Sequence, residues 1–295
     1  MDQETLKKYK KSGEISSQIR KEVLERVKPG MRILELAEFI EKRIIELGGR
    51  PAFPVNIGIN DFTAHYTPAF NDGKVINQGD LVKIDHGVHV DGWVADTAYT
   101  YCSEKSELVK AVESALASGI KAVRPGVRIS EVSQAINESV ESSGFGVIVN
   151  LTGHGLDEYV IHGPPTIPNV RHDSSEILKE GQAVALEPFV CETNGYVKES
   201  EPVEIFSFLQ PRPARLPEAR KILELAGNEY SGLPFCKRWL VRKGFSPFKT
   251  SFALKQLEVA DSVKSYPLLR ERSGQKVAQA EHTVIVMDKP VVTTL

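Results

Sequence analysis

Hydrophobic positions along this chain follow two rhythms. Residues 3–28 are Lys/Glu-rich and carry Ile15, Ile19, Val23 and Val27 at four-residue steps, which predicts an amphipathic helix ending at Pro29-Gly30. A second helix has Leu34, Leu36, Ile40, Ile44 and Ile45 on its apolar side and stops before Gly48-Gly49. The pattern then shortens to β-type runs at 55–59, 81–90 and 93–102, the last two separated by Asp91-Gly92, a strong two-residue hairpin signal. Helical patterns return over 106–123 and 129–143, the latter with Ser130, Glu131 and Gln134 marking its start, and strands resume at 147–151, 182–190 and 282–287. Residues 211–265 run Pro-rich and then helical, so they read as an insertion subdomain within a main domain made of 1–210 and 266–295. No internal repeat or low-complexity segment stands out. Helix pairs alternating with mostly antiparallel strands predict an α+β fold.

Composition narrows the class of protein. A chain of 295 residues, 41% hydrophobic and 26% charged, can bury a large core and is neither collagen-like nor wholly disordered. A net charge of −2 gives no footprint for general nucleic-acid binding. Cys102, Cys191 and Cys236 are odd in number and far apart, which argues for reduced thiols rather than a disulfide framework or a CxxC zinc site. The charged N-terminal stretch is no signal peptide, and no apolar run reaches the ~18 residues of a membrane span. The expectation is a soluble, cytoplasmic protein with no membrane or nucleic-acid partner.

The candidate chemistry begins in the hairpin. If Asp91-Gly92 is a two-residue turn, Val90 pairs with Trp93 and all cross-strand partners sum to 183. Asp85 then faces Ala98 and Gly87 faces Asp96, so these four side chains share one face with the two aspartates as diagonal neighbours. Gly87 and Ala98 are small, which is expected to leave a hole where a metal sits. Two readings stay open on the hairpin alone: a solvated sheet face, or buried acids that need a cation or protons. His86 and His89 fall away from the aspartates and read as structural or surface histidines.

Further along, His154 in Gly153-His154-Gly155 is expected on a loop ending the 147–151 strand, and His162 follows in VIHGPP. Glu187 interrupts an apolar strand in VALEPF, and Glu281 opens the final strand beside His282. Each alone reads equally well as a structural residue or ion-pair partner. Together, four carboxylates and an imidazole form the oxygen-plus-nitrogen donor set that suits a pair of divalent ions, with four negative charges balancing two dications.

These stretches resemble the type II methionine aminopeptidases, dinuclear metallopeptidases of the pita-bread fold. The resemblance is carried by PAFPVN (51–56), AHYTP (64–68), KIDHGVHVDGWVADTA (83–98), NLTGHG (150–155), IHG (161–163), ALEPF (185–189), FCKRWL (235–240) and AQAEHT (278–283). It implies Asp85, Asp96, His154, Glu187 and Glu281 as ligands of two divalent ions (cobalt, manganese, iron or zinc), with Asp96 and Glu281 bridging. It further implies that His65 contacts the substrate, that His162 stabilises the transition state, and that Phe53, Ile161 and Tyr266 line the methionine pocket. Two departures stand out: His86 replaces a usual apolar residue, and Ala280 replaces a Phe and is expected to enlarge the space beside Glu281. The chain lacks a long charged N-terminal extension, in which it resembles the archaeal form.

The implied activity is removal of initiator methionine from nascent chains whose second residue is small, by a monomer in transient contact with the ribosome. Glu187 would shuttle the proton. A prolidase or aminopeptidase P shares the fold and ligand types, but usually carries an N-terminal domain for which there is no room before the catalytic pattern. A non-catalytic pita-bread binding protein is the remaining alternative, disfavoured because all five ligand positions are filled.

Overall fold

A computed structural model describes all residues, 1–295. Two helices, α1 (Gln3–Arg26) and α2 (Ile33–Glu46), precede the short strands β1 (Arg50–Pro51), β2 (Asn56–Ile59) and β3 (Phe62–Ala64). The long hairpin β4 (Val82–Val90) and β5 (Trp93–Tyr101) comes next, followed by a second helix pair, α3 (Glu107–Ala122) and α4 (Ile129–Ser142). Then come β6 (Gly146–Val147), β7 (Thr152–Asp157), β8 (Val160–Pro168), β9 (Ala183–Leu186), β10 (Phe189–Cys191) and β11 (Val197–Phe208). Helix α5 (Pro217–Asn228), strand β12 (Phe235–Cys236), and helices α6 (Lys237–Arg242) and α7 (Pro247–Val259) follow. The chain closes with β13 (Val263–Glu271), β14 (Ala278–Gln279), β15 (Glu281–Ile285) and β16 (Val291–Val292).

The main sheet has the order β1-β4-β5-β15-β9-β7-β8, with β2 also on β4 and β16 also on β15, and every pairing in it is antiparallel. The apolar stripe Ile15, Ile19, Val23 and Val27 of α1 packs with Ile33, Leu36, Ile40 and Ile44 of α2 against Val82, Ile84 and Val88 of β4. Ala115 and Leu116 of α3, with Val132 and Ile136 of α4, cover Val184, Leu186 and Val284 of the other half. Both helix pairs lie on one face, leaving the opposite face of β4, β5, β15 and β9 free to line a cavity. A separate core joins α5, α6 and α7 to Phe206 and Val263 of the sheet β12-β11-β13-β3.

Several sequence expectations are corrected here. Ile45 is 64% exposed, one position past the stripe. Helix α4 starts at Ile129 with Arg128 as its cap, whose N–H is accepted by Glu131, so Ser130 is inside the helix. The 147–151 run is a strand only to Val147, and His154 stands on β7 rather than on a loop. The 182–190 run breaks at Glu187-Pro188. Strands β11 and β13 escape the pattern because Pro202 and Pro267 interrupt it and β11 is bulged between Ser200 and Ile205.

A repeat is also present. Pro29-Gly30-Met31-Arg32-Ile33 between α1 and α2 matches Pro125-Gly126-Val127-Arg128-Ile129 between α3 and α4. Gly30 and Gly126 both take a positive φ (86° and 79°) that a residue with a Cβ rarely adopts. Each donates its N–H to the strand-leading residue of its own half, Ile76 or Leu178, at 2.8 Å. Nine residues after those anchors come Asp85 and Glu187 respectively. The two halves thus deliver equivalent carboxylates to neighbouring parts of one sheet.

Candidate metal centre and active site

All nine hairpin pairs from Val82↔Tyr101 to Val90↔Trp93 sum to 183, as the two-residue turn requires. Asp91 and Gly92 hold φ of 49° and 88°, the left-handed pair that matches the twist of the strands. Asp85 and Asp96 therefore face the same side. The register continues across the sheet: Ala98 pairs with Asp85 on one side and Glu281 on the other, and His282 pairs with Leu186. Glu187, one residue beyond, is level with Glu281. His154 pairs with Ala185, two residues before Glu187 and hence on its face. The strand pairing alone brings four carboxylates and an imidazole into one patch.

Distances confirm that the patch is tight. Asp96, His154 and Glu281 each offer a ligand atom within 4.8 Å of the others'. His154 Nε2 is 3.4 Å from Glu187 Oε1 and 4.0 Å from Asp96 Oδ2. Asn56 Nδ2 donates to Asp85 Oδ2 at 3.3 Å, and Gln279 Nε2 donates to Glu187 Oε2 at 3.4 Å. Thr283 Oγ1 accepts from the Asp96 N–H at 2.7 Å and donates to the Asp96 carbonyl at 2.9 Å.

The electrostatics of the patch are unbalanced. Lys264 is the one Lys or Arg lining the cavity, and no Lys or Arg pairs with any of the four acids. Burial pushes Asp85 up to about 7. Asp96, Glu187 and Glu281 are raised well above the carboxylate range, first by burial and then by mutual repulsion. Burial, then neighbouring His162, pulls His154 down to about 3, leaving the imidazole neutral and its lone pair available.

A divalent cation fits this donor set. Asp85 Oδ1 and Asp96 Oδ1 are buried with no hydrogen-bond partner, and His154 presents Nε2 to the acids. Two donors each about 2.1 Å from a shared ion lie at most about 4 Å apart, which is the range of the two His154 separations. Hard carboxylate oxygens with one imidazole suit manganese, iron, cobalt or zinc alike.

The ten residues singled out from sequence, Phe53, His65, Asp85, Asp96, His154, Ile161, His162, Glu187, Tyr266 and Glu281, all line a single cavity of about 470 Å³. Its walls differ from its floor. The His162 ring meets the His154 ring edge-on at 4.7 Å, and His65 meets Tyr266 edge-on at 5.6 Å. His65 adopts a left-handed φ of 61°, and its Nδ1 is 3.3 Å from the Pro267 carbonyl oxygen. Burial pulls it down to about 4. The Tyr266 hydroxyl is 3.2 Å from Ser207 Oγ.

The space expected beside Gly87 for a metal is instead filled by Phe53. A Cβ on Gly87 would lie 2.4 Å from Phe53 Cε1 and 2.9 Å from Ala52 Cβ. Ala280 does not open space beside Glu281 either; lying between β14 and β15, it packs into the core under α3 and α4. His86 is buried with Nε2 3.1 Å from Ser16 Oγ, and His89 Nδ1 accepts from the Gly92 N–H at 3.1 Å. Sequence reasoning missed Asn56, Gln279 and Thr283. Pairing the 55–59 run with 82–85 would have found Asn56 opposite Asp85, and strand alternation from Glu281 would have found Gln279 and Thr283.

Comparison with known proteins shows the family and the fold. The methionine aminopeptidase of Thermococcus onnurineus is 48% identical over 94% of each chain. Among solved structures, a thermophilic Arx1 superposes with a TM-score of 0.85 at 17% identity, covering 99% of this chain and 91% of that one. The methionine aminopeptidase of Thermotoga maritima superposes with a TM-score of 0.73 at 23% identity, covering 100% and 98%. At these identities the two structures establish the pita-bread fold. Residues 7–287 match the model of metallopeptidase family M24. With that match spanning the hairpin acids, His154 and both glutamates, the chain belongs to metallopeptidase family M24, alongside the archaeal methionine aminopeptidases.

Proposed function

We propose that this protein removes methionine from the N-terminus of polypeptides whose second residue is small. The observation that carries the reading is the floor of the cavity: four carboxylates, of which Asp96 and Glu281 are buried and Asp85 and Glu187 partly so, and a neutral imidazole, without a basic partner, under walls of Phe53, Ile161, Tyr266 and two histidines. We assign Asp85, Asp96, His154, Glu187 and Glu281 as the residues that would hold two divalent ions. Bound there, the ions would neutralise the carboxylates, lower the pKa of a water and polarise the scissile carbonyl.

The chain's own groups supply the remainder. Phe53, Ile161 and Tyr266 enclose the methionine side chain, which fixes the scissile bond over the floor. The free α-amino group is drawn to the carboxylate end, so only a chain terminus fits. Glu187 accepts a proton from the attacking water and passes it to the leaving amine nitrogen. His162 donates a hydrogen bond to the carbonyl oxygen as it gains negative charge, a contribution of about 3 kcal/mol in comparable sites. His65 holds the substrate backbone from the opposite wall.

We take residues 211–265 as an insertion subdomain, and the protein as a cytoplasmic monomer that meets nascent chains at the ribosome. No helix is long and apolar enough to cross a membrane. The test is hydrolysis of Met-Ala-Ser by protein reconstituted with manganese, compared with an X-Pro peptide. Glu187→Gln should lower kcat on Met-Ala-Ser by about 10²-fold or more. Unchanged turnover removes Glu187 from this role, and faster X-Pro cleavage replaces the reading with a prolidase.

A further inference from the structure

One fully buried ion pair lies outside the catalytic floor yet touches both loops that shape its walls. Arg238 of α6 is 0% exposed, and its partner Glu41 of α2 is 5% exposed. The guanidinium engages the carboxylate with both forks, Nη1 to Oε2 at 2.6 Å and Nη2 to Oε1 at 2.8 Å. Its remaining donors reach the other way. Arg238 Nε donates to the Pro68 carbonyl at 2.9 Å, and Nη2 donates to Thr67 Oγ1 at 3.1 Å. Glu41 Oε1 in turn accepts the Val55 N–H at 3.4 Å, and Arg242 Nη1 approaches Glu41 Oε2 at 3.8 Å.

The contacts fall on the two loops in a telling way. Thr67 and Pro68 are two and three residues past His65, whose left-handed backbone is an unfavourable conformation for a residue with a Cβ and holds only where its surroundings enforce it. Val55 lies between Phe53 of the methionine pocket and Asn56, which donates to Asp85. For fold stability alone, an apolar pair of this volume would serve as well as a buried ion pair. A guanidinium does what an apolar side chain cannot: its planar fork fixes direction at four acceptors simultaneously.

We propose that Arg238, held by Glu41, is a positioning residue for the reaction: it locks the 65–68 loop so that His65 stays aimed across the cavity. The helical segment bearing α6 thereby takes part in catalysis without contributing a side chain to the cavity floor. The inference rests on the role given to His65 under the proposed function.

The test is a double-mutant cycle on the manganese-loaded enzyme, reading kcat/KM for Met-Ala-Ser. His65→Ala alone should impair kcat/KM; if it does not, the reading of His65 fails, and this inference with it. Arg238→Met combined with Glu41→Leu keeps the volume and removes the charges. It should lower kcat/KM by about tenfold to a hundredfold, the effect of a misplacement near 1 Å. In the His65→Ala background the same pair should cost no more than about twofold, because the group it positions is gone. Arg238→Lys, which keeps the charge but not the fork, should fall between. Manganese affinity by calorimetry should be the same in all variants.

Equal losses in both backgrounds, or a matching loss of manganese affinity, would overturn the proposal while leaving the role of His65 intact. Thermal unfolding identifies variants that do not fold. If the paired replacement is one of them, Arg238→Lys, which keeps the charge and loses the fork, carries the same cycle.

Discussion

Replacing Gly87 with Ala asks what occupies the space beside the hairpin aspartates. A Cβ at this position would lie 2.4 Å from Phe53 Cε1, 2.8 Å from Cδ1 and 2.9 Å from Ala52 Cβ. A carbon–carbon contact needs about 3.5 Å, so the Phe53 ring must retreat by about 1 Å. Its open side is the cavity, so the ring moves into the volume assigned to the methionine side chain. Overpacking of this size costs about 1–3 kcal/mol. Levied on substrate binding, that is a loss in kcat/KM of about fivefold to a hundredfold or slightly more. The expected signature is a raised KM for Met-Ala-Ser with manganese stoichiometry unchanged. Adding Phe53→Leu, which removes the clashing ring edge, should restore part of the stability lost. Loss of bound metal with an unchanged KM would refute the reasoning, since the glycine would then be making room for an ion.

Other outcomes follow from the same geometry. In metal-free protein the four acids have folded pKa values raised above the unfolded ~4, so the native state binds more protons and stability falls as pH rises. Thermal unfolding of the chelated protein should therefore occur at lower temperature at pH 8 than at pH 5, the decline running from about pH 4 through the Asp85 value of about 7. Manganese should abolish that decline, and an apo protein equally stable at both values would contradict it. Thr283→Val removes both hydrogen bonds to the Asp96 backbone and strands a buried N–H, which should cost about 1–3 kcal/mol by urea unfolding and weaken manganese binding. His154→Ala removes the one nitrogen donor of the cluster and should lower metal affinity, read by calorimetry, without altering helix content by circular dichroism.

Much of the site was legible because its logic is local. The hairpin needs only the Asp91-Gly92 turn and strict alternation, and every pair then follows by counting. Glu187 and Glu281 stood out as acids in apolar surroundings. What escaped was information carried by contacts distant in sequence. Gly87 could be recognised as small, but not that the ring of Phe53, thirty-four positions earlier, takes up its space. In sequence the glycines flanking His154 suggest a loop, whereas in the fold Gly153 and Gly155 let the Ala185 and Pro164 carbonyls approach too closely for any Cβ. Strands β11 and β13 are hidden in the sequence because Pro202, Pro267 and a bulge break the alternation, so the pattern places Tyr266 on no strand. The repeat escaped because its two copies share little beyond the Pro-Gly turn and the following Arg-Ile; the matching bridges Arg32↔Val75 and Arg128↔Ile177, with the glycine N–H bonds to the Ile76 and Leu178 carbonyls, reveal it.

The convergence of four acids without a basic partner on one imidazole is tested most directly by anomalous scattering from crystals of the manganese-soaked protein. Two peaks should appear on the cavity floor, one in contact with Asp85, the other with His154 and Glu187, and both touching Asp96 and Glu281. Peaks elsewhere, or a floor without manganese at saturating concentration, would contradict the assignment of these residues as a metal centre.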